Sequence, residues 1–180
     1  MTSTRNYAHL KNQGFSLFEL VVVILLIGIF MIFAIDSLLR LQVEAERVSV
    51  QHVVGSLNSA INLEAAELVL NEGLGSLKKL ENSNPMTYLS ELPFTYLGLR
   101  SDLSAASIPD NSWYFDSDQN ILVYKVKNRD YFRSELTGTP RIRFKVMLLY
   151  RNNVINGPVT SIQGVHLHSL DNDYWIKNKP

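Results

Sequence analysis

From Phe15 to Ile35 the chain reads FSLFELVVVILLIGIFMIFAI, and Glu19 is its only charged residue. A carboxylate in such a run costs up to about 3 kcal/mol at a bilayer centre, and it is tolerated where a cation meets it. Glu19 is thus a candidate for recognition rather than catalysis. Other groups could do chemistry of a different kind. His166 and His168 are spaced to share one strand face and could ligate a metal, while Asp116 with Asp118, or Asp171 with Asp173, could offer oxygens to calcium. No further carboxylate or cysteine stands at ligand spacing from the histidines, and no run matches a six-oxygen loop. Solvated strand histidines and turn-forming aspartates are the plainer readings, so neither metal nor cofactor is expected. With no cysteine in the chain, thiolate sites, disulfide staples and cysteine nucleophiles are excluded. No phosphate-cradling glycine loop, Gly-x-Ser-x-Gly elbow or nucleophile and base pair is present, so no enzyme is expected.

The element that must position Glu19 is a helix. At about 1.5 Å per residue, Phe15 to Ile35 would extend roughly 31 Å, enough to cross a hydrocarbon core of about 30 Å. The preceding MTSTRNYAHLKNQG holds Arg5 and Lys11 and no acidic residue, which by the positive-inside tendency keeps it cytoplasmic and sends the rest outward. Leu38, Leu41, Val50, Val53, Val54, Leu57, Ala60, Ile61 and Leu68 then recur at helical steps, with Arg40, Glu44, Glu46, Arg47, Asn58, Asn62 and Glu64 between them. The pattern predicts a helix from about Phe15 to Leu70, roughly 84 Å long, whose first half projects as a stalk from whatever its second half packs on. Gly73 and Gly75 end it.

The remaining chain suits one packed domain. The 180 residues are 46% hydrophobic and 19% charged, and 17 basic residues balance 17 acidic ones, so disorder is excluded and nucleic acid is not an expected partner. Residues 73–110 read as a packed connecting loop, with Pro85, Pro93 and Pro109 and apolar anchors at Tyr88, Leu89, Phe94, Tyr96 and Leu97. WYFDSDQNILVYKV predicts a hairpin about Ser117-Asp118-Gln119-Asn120. In RIRFKVMLLY, Ile142, Phe144, Val146, Leu148 and Tyr150 form the core face of a strand, and a further strand pair is drawn through 159–162 and 164–170. Trp113 and Trp175 read as core or rim residues. The fold expected is α+β: one long helix, its distal half laid on an antiparallel sheet of about four strands over 111–180.

Three readings of the N-terminus compete. A secretory signal peptide has a shorter apolar stretch and a small-x-small cleavage site. A plain anchor explains the length but leaves Glu19 without purpose. The third takes Gly14-Phe15-Ser16-Leu17-Phe18-Glu19 as one unit, and there the chain resembles a type IV prepilin: a short basic leader ending in glycine, then Phe, a hydroxyl residue, Leu, one variable residue, Glu, and a long apolar helix. The resemblance implies a leader of residues 1–14, cleavage between Gly14 and Phe15 by a membrane peptidase, and N-methylation of Phe15 by the same enzyme. Glu19 lies four residues beyond the new amino group, on the same helical face. An amine, its own or a neighbour's, would lower the cost of bringing that carboxylate out of lipid into a helix bundle. The resemblance favours the Phe15 amine of a neighbouring subunit in a filament, which makes Glu19 an assembly residue.

Further implications follow from the family. Residues 15–35 become the transmembrane and filament-core helix, 36–72 the amphipathic half and 73–180 the head, in a type IV pilin fold. Gly28 matches a glycine tied to helix loosening, with close helix packing the alternative, and Asp36 stands where many major pilins carry a proline, implying a straighter helix. NPMTYLSELPFTYLG and the hairpin are similar to segments of minor pilins of the mannose-sensitive haemagglutinin pilus class, and the lack of a C-terminal disulfide also points away from a major subunit. The partners implied are the peptidase, other pilin subunits, an inner-membrane assembly platform and membrane lipid. The location implied is the bacterial inner membrane, N-terminus cytoplasmic and head periplasmic, then a filament. A type II secretion pseudopilin and a tethered periplasmic binding domain that never assembles are the alternatives.

Overall fold

The computed structural model describes residues 16–100, 107–153 and 159–176. One helix, α1 (Leu17–Glu72), runs through two compact units, Met1–Leu41 and Gln42–Pro180. It starts two residues later than Phe15 and ends two later than Leu70. The Ser16 hydroxyl oxygen accepts the Phe18 N–H at 3.3 Å, satisfying one of the donors that a helix start leaves open. At the other end Gly73 adopts φ 85°, ψ 174°, a conformation open in practice to glycine, and its N–H still reaches the Val69 carbonyl at 2.9 Å.

In the first unit α1 carries its apolar side chains exposed, Leu17 at 80% and Ile32 at 70% among them. The helix is continuous through Gly28 and Asp36. A Cβ built on Gly28 meets nothing within 4 Å, so no contact inside this chain requires a glycine there. Asp36 is held by Arg40 one turn on, at 2.6 Å.

In the second unit α1 buries Val43, Glu46, Val50, Leu57, Ile61 and Ala65. Leu38 and Leu41, expected on the same stripe, are exposed and belong to the first unit. Two short 3-10 turns, Leu74–Lys79 and Pro85–Tyr88, lead to β1 (Tyr96–Arg100), β2 (Ser112–Asp116), β3 (Ile121–Lys125), β4 (Phe132–Arg133), β5 (Arg141–Asn153), β6 (Val159–Ser169) and β7 (Tyr174–Trp175). Five strands form one sheet in the order β1-β2-β3-β5-β6, and β4 pairs with β7 in a separate ribbon. The arrangement is α+β, as expected.

The core lies between α1 and the sheet. Leu57, Ile61 and Ala65 meet Trp113, Tyr124, Phe144, Val146 and Leu167, and the Trp113 ring stands 4.8 Å from Tyr124 and 5.9 Å from Phe144. Strands β2 and β3 are buried on both faces, because Ile108 and Leu97 cover Tyr114, Ile121 and Val123 on the side away from α1. Trp175 packs edge-on against Phe132 at 5.0 Å and so sits at the rim.

Several local expectations are corrected. The stretch read as loop contains β1, which pairs parallel to β2, so the sheet has five strands and is not wholly antiparallel. Its Gly98, at φ 82°, sits at a register shift in that pairing, which broke the alternation that would have marked a strand. Phe94 is no anchor: it is 103% exposed at the tip of a turn closed by the Tyr96 N–H on the Pro93 carbonyl at 2.9 Å. The pair drawn through 159–162 and 164–170 is one strand, β6. Its interruption at Gln163 is a shift in the ladder to β5, where Leu149 faces Gly164 and Tyr150 faces Ile162. Tyr150, placed beyond that shift, is half exposed rather than core.

Candidate functional site

The residues that could carry function are spread along α1. Gly14 and Phe15, expected to flank a cleaved bond, lie outside the described residues. Glu19 is in the first turn of α1, exposed, and among the described residues it has neither a hydrogen bond nor an ion pair. Beyond it the helix is long and apolar enough to cross a membrane, and no residue of its most apolar stretch is buried. A bare apolar rod with one unmatched carboxylate at its start can do two things. It can dissolve in lipid, or it can pack against similar rods that bring a cation to Glu19. Between Glu19 and Glu44 the only other charges are Asp36 and Arg40, which pair with one another at 2.6 Å.

A second carboxylate on α1 has the opposite environment. Glu46 is only 7% exposed, and it accepts hydrogen bonds from the Tyr124 hydroxyl at 2.9 Å, the Lys127 N–H at 2.7 Å, the Asn128 N–H at 3.0 Å and the Asn128 side-chain amide at 2.6 Å. Burial, then the Glu46 charge and hydrogen bond, push the Tyr124 hydroxyl far above the ordinary tyrosine range. A second polar tie stands further along: Asn58 donates to the Val54 carbonyl at 3.1 Å and accepts the Leu167 N–H of β6 at 3.2 Å. Sequence reasoning read Glu46 and Asn58 as the wet face. The signal was there for Glu46, which falls three residues after Val43 and four before Val50, on the buried stripe itself.

The candidate metal ligands are differently engaged. Asp116 is a turn former: its carboxylate accepts the Asp118 and Gln119 N–H groups at 2.9 and 3.1 Å. Both Asp171 oxygens meet the Arg143 guanidinium, at 2.6 and 2.8 Å. Asp173 is apart from these, its two oxygens buried without a hydrogen-bond partner. Burial pushes its carboxyl above the usual range; Asp171 and Glu135 add to that, and Ser134 and Arg143 oppose it. His166 and His168 do share a strand face, their rings 5.5 Å apart, opposite Met147 and Lys145. Among the described residues no group of three or more His, Cys, Asp or Glu could hold a metal ion.

Comparison with known proteins bears on the N-terminus alone. No curated protein and no solved structure matches the chain. Residues 9–35 match the family described as the prokaryotic N-terminal methylation motif. The match contains Gly14, Phe15 and Glu19 and runs to the end of the apolar stretch. The chain therefore carries the prokaryotic N-terminal methylation motif known from type IV pilin leaders, and the match takes in the exposed apolar start of α1.

Proposed function

We propose that the protein is a structural subunit of a bacterial filament, most closely a minor pilin in type IV pilus biogenesis. In this reading prepilin peptidase removes residues 1–14 and methylates the Phe15 amine. Residues 15–35 then hold the subunit in the inner membrane, with its N-terminus cytoplasmic and residues 73–180 periplasmic. An assembly platform draws it into the filament, where Glu19 meets the Phe15 amine of a neighbouring subunit and 36–72 continues the helix into the head. The observation that carries the proposal is the coincidence of the methylation motif at 9–35 with a helix whose apolar side chains find no cover in their own chain.

The test is intact mass and N-terminal sequence of the protein from its native membrane. A chain beginning at methylated Phe15 is the expected result, and an intact Met1 leader overturns the proposal. Replacing Glu19 by Ala should leave processing in place and lower recovery in sheared filaments. A tethered domain that never assembles would tolerate the change. A secretion pseudopilin shares the same processing and is separated by whether loss of the gene removes surface pili or protein export.

A further inference from the structure

Strands β5 and β6 turn Val146, Leu148, Val165 and Leu167 toward α1, so Met147, His166 and His168 share the opposite face of the sheet. In the ladder Met147 faces His166 and Lys145 faces His168, which puts Met147 directly across from one histidine and diagonally across from the other. Side chains so placed have Cβ atoms about 5 Å and up to about 8 Å apart, a gap that a flexible methionine and an imidazole span. The two imidazole rings are 5.5 Å apart at an interplanar angle of 70°. A nitrogen about 2 Å from a metal sets its ring centre about 3 Å from it, so two rings on one ion have centres about 5 to 6 Å apart. His166 Nδ1 is moreover buried without a hydrogen-bond partner. With no acceptor beside it, that nitrogen is the one left with the lone pair, and a lone pair hidden from water is open to a metal.

We propose that Met147, His166 and His168 bind one copper(I) ion. The donor set chooses the metal: a thioether is a soft ligand that selects copper(I), imidazole suits it too, and magnesium or calcium would call for oxygens. Among the described residues no carboxylate completes the histidine pair. Charge selects in the same direction. Lys145 stands across from His168, and the Arg143 guanidinium on the same face is already held by Asp171 at 2.6 Å. Three neutral ligands beside a lysine repel a single positive charge less than a double one. The histidine pair alone reads as solvated; what the fold adds is Met147, brought opposite from another strand, and a ring nitrogen without a partner. Bound there, the ion ties β5 to β6, the outermost strand of the sheet, which pairs on one side only. The site uses none of Gly14, Phe15 and Glu19, so it stands whether or not the chain is a filament subunit.

The test is an anaerobic titration of the full chain in detergent with copper(I), in competition with a chromogenic chelator. The chain should take up one ion, raise its melting temperature on doing so, and show two nitrogens and one sulfur around copper by X-ray absorption. With no cysteine in the chain, a sulfur neighbour can come only from methionine. Met147 and His168 are both exposed, so replacing them removes no core packing. Met147→Leu should lose the sulfur signal and the preference for copper(I) over zinc(II). His168→Ala should give the ion up to the chelator, with circular dichroism unchanged. His52→Ala, on α1, should bind as the parent does. A folded parent chain that takes up no copper overturns the proposal, as does uptake that is unchanged in both site variants or lost on removing the leader with Met1 and His9. Copper with nitrogen neighbours alone, or zinc bound as tightly, overturns it equally.

Discussion

Glu19 and Glu46 are the same residue type on one helix, and their surroundings give them different work. Glu19 stands exposed at the start of the apolar stretch, and its carboxylate has no partner among the described residues. Glu46 is buried and saturated by four donors, three of them on the Lys127 and Asn128 segment and the fourth the Tyr124 hydroxyl. Removing it would leave those donors dry, and each buried unpaired donor costs about 1 to 3 kcal/mol. Glu46→Ala should therefore lower unfolding stability by about 3 kcal/mol in a urea titration. It should also let Tyr124 ionise at lower pH, which ultraviolet absorbance reads directly. Asp173 gives a pH dependence of definite sign. Its carboxyl is raised above the ordinary aspartate value of 3.8 by burial, so the folded state keeps the proton that the unfolded state releases. That contribution is complete below 3.8 and is lost as pH rises through the folded value. Asp173→Asn should remove the decline, which is checked by comparing denaturation midpoints of the two proteins at pH 4 and pH 7.

At the scale of elements, the end of α1 and the run of β6 are both set by backbone geometry. Gly73 holds φ 85° with ψ 174°, a region other residues enter at a cost of about 1 to 3 kcal/mol. A Cβ there would meet nothing within 4 Å, so the penalty is purely conformational. Gly73→Ala should reduce stability by about 1 to 3 kcal/mol, while Gly75→Ala, at a glycine without positive φ and with equal space, should change it far less. Thermal melts of both variants check the contrast. In β6 the shift at Gln163 lets one strand serve two registers against β5, keeping Val165 and Leu167 on the core face. The Asn58 side-chain oxygen Oδ1 takes the Leu167 N–H that the sheet edge would otherwise leave open, which protects part of that edge from unspecific pairing.

For the whole molecule, the buried residues among those described all follow Leu41. Val43 is the first of them, and the clusters around Trp113 and Ile121 draw only on the second unit. A chain starting at Gln42 should therefore stay folded without detergent, showing a cooperative melt and a dispersed amide spectrum; loss of cooperativity would mean that the apolar segment supports the head. The full chain should require lipid or detergent, because Leu17, Phe18, Phe30 and their neighbours are exposed in it.

The sequence alone was enough to read the long helix, its apolar first half, the Gly14-to-Glu19 motif, the hairpin about Ser117 to Asn120 and the alternating face of β5. Each rests on short-range periodicity or on a local turn, which the order of residues along a chain expresses directly. What tertiary structure decided is where unlike segments meet. The parallel β1 was hidden because Gly98 interrupts its alternation and its partner lies beyond a connection that sequence periodicity does not report. Glu46 looked solvated because charge usually is, yet its donors lie 78 to 82 residues away. Phe94 looked buried because it is aromatic, and a turn at Pro93 leaves it in solvent. Burial is a property of contacts between distant segments, and only the folded chain brings those segments together.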